Sequence, residues 1–132
     1  MIGTVRLERS VAAALPRLAA VALPREACGL LTGRRAGGVL LLDGLAPSRN
    51  LAAGEGSFEI DAALHLRLQR SMRAVAAVWH SHPRGGPTPS ARDAAGAWDA
   101  GLVWLITAGD ATTAWLPLGE GLGFAPLPLE LA

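Results

Sequence analysis

Residues 74–79, Ala-Val-Ala-Ala-Val-Trp, form an unbroken apolar run set between Arg73 and His80. A short run with no polar alternation marks a β-strand covered on both faces, because a strand with one wet face would carry a polar side chain at every second position. The chain must therefore place layers on both sides of a sheet. The flanking sequence supplies them. Residues 4–8 alternate apolar and polar as a short strand does, and Ser10 is placed to cap a helix running to about Val21, in which Pro16 demands a late start or a bend. Residues 27–32 and 39–45 read as two largely buried strands of a hairpin, joined by the turn Gly33-Arg34-Arg35-Ala36-Gly37-Gly38. Residues 57–60 read as a short strand. Asp61 then caps a helix to about Arg73, with Leu64, Leu68 and Met72 on one face. Ser90 opens a helix to about residue 100, and residues 102–107 and 112–116 are strands joined by a turn at Gly109-Asp110. Helices interleaved with strands define an α/β chain: a mixed sheet flanked by helices.

The 132 residues suffice to bury about 70% of the unfolded surface in one domain, so residues 1–132 are expected to form a single unit. About half the residues are apolar, yet no stretch approaches the ~20 uninterrupted apolar residues of a membrane-spanning helix. The apolar stretch over residues 11–23 is broken by Pro16 and Arg17 and lacks a cleavage pattern, so it does not read as a signal peptide. The lone Cys28 cannot form an intramolecular bridge, which favours a reducing, cytoplasmic setting. Net charge is +1, and all twelve basic residues are scattered arginines. No stripe exists for nucleic acid to follow. The Arg-only, Ala- and Gly-rich composition suggests a GC-rich bacterial genome. The lack of lysine leaves the N-terminal amine as the sole isopeptide acceptor.

Chemistry concentrates at the end of the apolar run. His80 and His82 are two residues apart, and on a strand that spacing sends both side chains to one face, where they can share a metal ion. Two imidazoles and one carboxylate leave a fourth tetrahedral position open, the catalytic rather than the structural arrangement of zinc. Asp93, in the first turn of the following helix, is the candidate carboxylate. A plainer reading stands beside this one. The histidines can be ordinary polar residues at a strand end, and Ser90-Ala91-Arg92-Asp93 fits a capping box that merely satisfies helix-terminal amides. Glu26, taken alone, reads as a strand-edge charge, Cys28 as a small buried hydrophobe rather than a thiolate ligand, and Arg84 as a solvated loop charge beside the motif. His65 has no ligand-spaced partner. Trp98, Trp104 and Trp115 read as core.

His80-Ser81-His82, seven residues, Ser90, two residues and Asp93, with Glu26 upstream in Pro24-Arg25-Glu26-Ala27-Cys28-Gly29-Leu30-Leu31-Thr32-Gly33, resembles the JAMM (MPN-plus) metalloprotease family. Asn50, Phe58 and Asp61 also fall where short bacterial members have similar residues. The resemblance covers roughly residues 4–107, and the sequence after Leu118 matches nothing in it. It implies the JAMM/MPN fold, with cytidine-deaminase-like layering, and one zinc ion per chain bound by His80, His82 and Asp93. It also implies that Glu26 relays protons and that Ser90 stabilises the oxyanion. The implied substrate is a peptide, isopeptide or related amide bond after the Gly-Gly tail of a ubiquitin-like or sulfur-carrier β-grasp protein, paired to an edge strand. The chain is too short for the insertions of eukaryotic deubiquitinating members. The competing reading within this fold is a non-catalytic MPN-type scaffold or binding module, which an intact ligand set disfavours. A nucleobase deaminase would need a Pro-Cys-x-x-Cys segment that one cysteine cannot supply. A two-histidine, one-carboxylate iron oxygenase shares the ligand types but not the Ser90 spacing.

Overall fold

Val5 and Leu7 are fully buried while Arg6 between them reaches solvent, the period of two that a strand with one covered face requires. These residues form β1 (Thr4–Leu7), followed by α1 (Arg9–Ala22), β2 (Cys28–Ala36), β3 (Val39–Ser48), α2 (Ala62–Arg70), β4 (Val75–Ser81), α3 (Ala91–Gly96), β5 (Val103–Ala108), β6 (Ala111–Pro117), β7 (Phe124–Leu127) and β8 (Leu129–Leu131). The computed structural model describes residues 1–96 and 101–132. The far end of the helix expected to about residue 100, with Trp98, lies outside the described residues.

The strands form one mixed eight-stranded sheet in the order β7-β6-β5-β4-β2-β3-β1-β8. The β1·β3, β1·β8 and β4·β5 pairs are parallel and the others antiparallel. Adjacent residues face opposite layers. Leu31, Ala77 and Trp79 join the core beneath α1, whereas Leu30 and Val78 pack with Leu64 and Leu68 of α2. The unbroken apolar run at β4 is thus explained: helices cover both of its faces.

Helix α1 runs through Pro16 without a break. The missing amide and ring clash cost about 3 kcal/mol. Burial of Val11, Leu15 and Ala19 on one stripe, at about 1.5–3 kcal/mol for each larger side chain, outweighs that. The cap is Glu8 and not Ser10: the Glu8 carboxylate accepts the Ser10 amide at 3.2 Å, and the Ser10 hydroxyl donates to it as well. The hairpin strands also run further than expected. Thr32 and Gly33 form a bulge rather than a turn, and only Gly37 and Gly38 turn the chain. Gly33 is required there, since a Cβ would stand 1.9 Å from the Leu41 carbonyl oxygen.

Asp61 caps α2 as expected, its carboxylate accepting the Ala63 amide at 3.0 Å. Met72 does not join the buried face: it lies past the helix end at φ 63° and is 91% exposed. Residues 57–60 are not a strand, and a single bridge pairs Ile60 with Asn50. Two strands that no periodicity announced, β7 and β8, are separated only by Pro128 yet lie at opposite ends of the sheet order. In a flat sheet those ends would be about 34 Å apart. Only about 15 Å of extended chain connects the two strand centres, so the sheet curls until its flanks approach. Among the described residues no helix is long and apolar enough to cross a membrane.

Candidate metal centre

His80 belongs to β4 between β2 and β5, in register with Cys28 and Ile106. His82 continues the line, its amide donating to the Thr107 carbonyl at 2.8 Å. Both imidazoles therefore leave the same side of the strand end, as the two-residue period dictates. Asp93, in the first turn of α3, meets them: one carboxylate oxygen is 3.1 Å from His80 Nε2 and the other 3.0 Å from His82 Nε2. The two Nε2 atoms are 3.1 Å apart. Ligand atoms arranged tetrahedrally around an ion at about 2.0–2.1 Å stand roughly 3.3 Å from one another, so this spacing fits a metal.

The local chemistry agrees. His82 Nδ1 lies 3.0 Å from the Gly86 carbonyl; a carbonyl only accepts, so Nδ1 donates there, an orientation that turns Nε2 toward Asp93 and would make it the metal-ligating nitrogen once its proton is displaced. Burial pushes His80 below its ordinary pKa, which favours the neutral imidazole, whereas the hydrogen bond to Asp93 raises His82. Burial alone would raise Asp93, but its hydrogen bonds to both histidines outweigh that and hold it far below the usual carboxylate range. Two ring nitrogens and an anionic carboxylate thus converge on one point, and a metal ion held there would take the place of the protons they share. Among the described residues, His80, His82 and Asp93 are the group that could hold a metal ion.

The capping box and the ligand set turn out to be one object. Ser90 Oγ accepts the Asp93 amide at 3.0 Å, and Asp93 Oδ2 accepts the Ser90 amide at 2.9 Å. The cap fixes the carboxylate that the metal needs. Beside it lies a cavity of ≈ 220 Å³ lined by Pro24, Glu26, Glu55, His82, Arg84 and Ser90, among others. Glu26 is buried, one of its carboxylate oxygens has no hydrogen-bond partner, and burial raises its pKa to about 7. Cys28 stays apart: its thiol faces the Ser48 and Arg49 carbonyls, and burial pushes it up to about 11. His65 sits on α2, outside the site.

Three residues matter more than sequence reasoning indicated. Ser81 binds the segment carrying Glu26, its hydroxyl accepting the Ala27 amide at 2.8 Å. Asn50 spends all its amide capacity locally, donating to the Glu26 and Ser57 carbonyls and accepting from the Ala52 and Glu59 amides. Phe58 stacks on the His80 ring. Their available signal was resemblance at positions 50 and 58, and the small polar residue between the histidines. Of the described tryptophans, Trp79 is the one fully buried in the core. Trp104 and Trp115 are half-buried, and Trp104 meets His80 edge-on.

Residues 8–117 match the model of the prokaryotic homologs of the JAB domain. The chain belongs to this family. The JAMM resemblance is thereby borne out as membership of the prokaryotic JAB group, and the mixed α/β fold with it. The solution structure of a protein from Desulfitobacterium hafniense is similar at a TM-score of 0.84 and 27% identity, covering 98% of this chain and 93% of that one. A protein from Salinibacter ruber shares the fold at a TM-score of 0.73 and 19% identity, covering 96% and 91%. No curated protein matches the sequence. The JAB match ends at Pro117, before the β7–β8 ribbon that pairs with both flanks of the sheet.

Proposed function

We propose that this JAB protein is a zinc-dependent hydrolase that cuts the amide bond after the Gly-Gly tail of a ubiquitin-like or sulfur-carrier β-grasp protein. The observation that carries the reading is the convergence of His80, His82 and Asp93 at 3.0–3.1 Å, with His82 on the wall of a cavity that also presents Glu26. A closed structural site would need a fourth protein ligand. Among the described residues no fourth ligand joins these three, which leaves the fourth direction to solvent and substrate.

Zinc held by these three residues supplies Lewis-acid polarisation of the carbonyl and acidification of water. The remaining work belongs to the chain. Glu26, with a pKa of about 7, takes a proton from the attacking water and returns it to the leaving nitrogen, the poise that general acid–base catalysis favours near neutrality. Ser90 Oγ uses a lone pair on the Asp93 amide, so its hydroxyl hydrogen is available to the oxyanion. Pro24 and Pro83 wall the cavity. Because β4 is paired on both sides, it offers no free edge; an incoming tail must pair with backbone at the cavity walls.

The test is metal content and turnover together. Purified protein should hold one zinc per chain, and a His80→Ala/His82→Ala variant should hold none and cleave nothing. Undiminished zinc in that variant, or cleavage by metal-free protein, would falsify the assignment.

A further inference from the structure

His80 is the most enclosed residue of the metal group, with no exposed surface. Its Nδ1 is buried and has no hydrogen-bond partner among the described residues. That is unusual for a metal-ligating histidine, whose second ring nitrogen ordinarily donates to a carboxylate, carbonyl or water that fixes the ring. His82 has that support in the Gly86 carbonyl. His80 has aromatic rings instead. Phe58 lies almost parallel to it, with centroids 4.3 Å apart and planes inclined by 14°. Trp104 closes in edge-on at 5.4 Å and 85°, and also meets Phe58 edge-on at 5.6 Å. With its backbone fixed in β4, the ring retains mainly rotation about its own side-chain bonds, and a stacked face restricts that rotation.

Phe58 does not belong to the sheet. It sits on the segment 51–59, which is fastened at three points. Asn50 binds the Ala52 and Glu59 amides and the Ser57 carbonyl, Arg25 donates to the Ala52 carbonyl, and Arg92 donates to the Gly56 carbonyl at 3.1 Å. Arg92 is the neighbour of Asp93 on α3. The same segment lends Glu55 and Gly56 to the cavity wall. One stretch of chain therefore touches a metal ligand with its aromatic ring and the substrate cavity with its turn.

We infer that Phe58 is a positioning residue for the metal centre: its stacked ring orients His80 in place of the absent Nδ1 hydrogen bond, and segment 51–59 thereby links metal occupancy to the cavity wall. The inference rests on the metal reading above but concerns a residue outside the ligand set. Removing the stack leaves all three ligands in place while freeing the His80 ring.

The experiment measures zinc affinity by chelator competition in wild type, Phe58→Leu and Phe58→Trp, with thermal unfolding as a check of fold. Leucine keeps apolar bulk without a planar face; tryptophan restores one. Phe58→Leu should bind zinc about tenfold more weakly, the lower end of the loss seen when a partner orienting a metal-bound histidine is removed. Phe58→Trp should recover most of that loss. Amide hydrogen exchange over residues 51–57 should slow on zinc addition in wild type and much less in Phe58→Leu. Equal zinc affinity in wild type and Phe58→Leu, or no recovery by tryptophan, overturns the role of Phe58 while leaving the metal centre standing. A wild-type protein that binds no zinc overturns both.

Discussion

The Ser81 hydroxyl accepts the Ala27 amide hydrogen at 2.8 Å, joining positions 54 residues apart in sequence. The Ser81 amide donates in turn to the Ala27 carbonyl at 2.9 Å. Successive strand side chains alternate, so Ser81 faces away from the two histidines that flank it. It turns that opposite face into an anchor for the chain leading into β2, and Glu26 is one residue from the anchor. The spacer of the His-x-His motif thus ties the candidate metal ligands to the chain that carries Glu26, the carboxylate proposed to move protons.

Ser81→Ala leaves the buried Ala27 amide without its side-chain acceptor, at a cost of about 1–3 kcal/mol. Zinc affinity should stay near wild type, because neither histidine loses a partner, while turnover falls. Denaturant unfolding and zinc titration check both halves, and a large loss of zinc affinity would contradict the anchor role.

Glu26→Gln should keep fold and metal but lose most of the turnover, and Cys28→Ser should do far less. A second signature is independent of activity. Burial raises the Glu26 pKa from 4.5 to about 7 in the folded protein, so folding favours the protonated form. For metal-free protein, that contribution is fully present below the unfolded pKa and is lost as pH rises through about 7. The difference is on the order of 1–3 kcal/mol. Glutamine cannot ionise. Metal-free Glu26→Gln should therefore gain on wild type across this window, as read by denaturation midpoints at a series of pH values.

Ser90→Ala removes two functions at once. Loss of an oxyanion donor should slow cleavage by roughly 10²-fold, and loss of the acceptor for the Asp93 amide should cost about 1 kcal/mol of helix capping. Ser90→Thr keeps both groups and should restore stability first. If alanine left the rate unchanged and lowered only the unfolding midpoint, Ser90 would be a cap and nothing more.

The substrate is the most exposed part of the reading. Replacing the terminal Gly of a β-grasp carrier by Val should abolish cleavage, because a side chain there collides where glycine lets the backbone approach. Mass spectrometry of carriers extended beyond the tail decides this. Equal cutting of Gly- and Val-ended carriers would leave a metal hydrolase with a different partner.

What the sequence disclosed, it disclosed through local period and spacing. The run over residues 74–79, the Leu64/Leu68 stripe, the Asp61 cap and the four motif residues His80, His82, Ser90 and Asp93 could be placed because each depends on near neighbours. The departures have long-range causes. Pro16 is tolerated because α1 buries Val11, Leu15 and Ala19 against a sheet built mostly downstream. Glu8 displaces Ser10 as cap because β1 delivers it already extended. Gly33 looked like a turn and serves as a bulge, since only the facing Leu41 carbonyl reveals the close approach. Phe58 gained its meaning from a ring 22 positions later, and β7 and β8 from flanks that no window of sequence contains.

The β7–β8 ribbon carries a consequence for self-association. It occupies β6 along one half and β1 along the other, so a single short segment shields two strands whose open hydrogen-bonding edges would invite other chains. Its own outer edges are poor templates: Pro126 and Pro128 lack amide hydrogens, and Glu130 is paired with Arg6 at 3.2 Å. Short, proline-bearing and charged edges discourage intermolecular strand addition. Peeling this ribbon away would expose both protected edges together, so resistance to aggregation in this fold is concentrated in its most peripheral piece of chain.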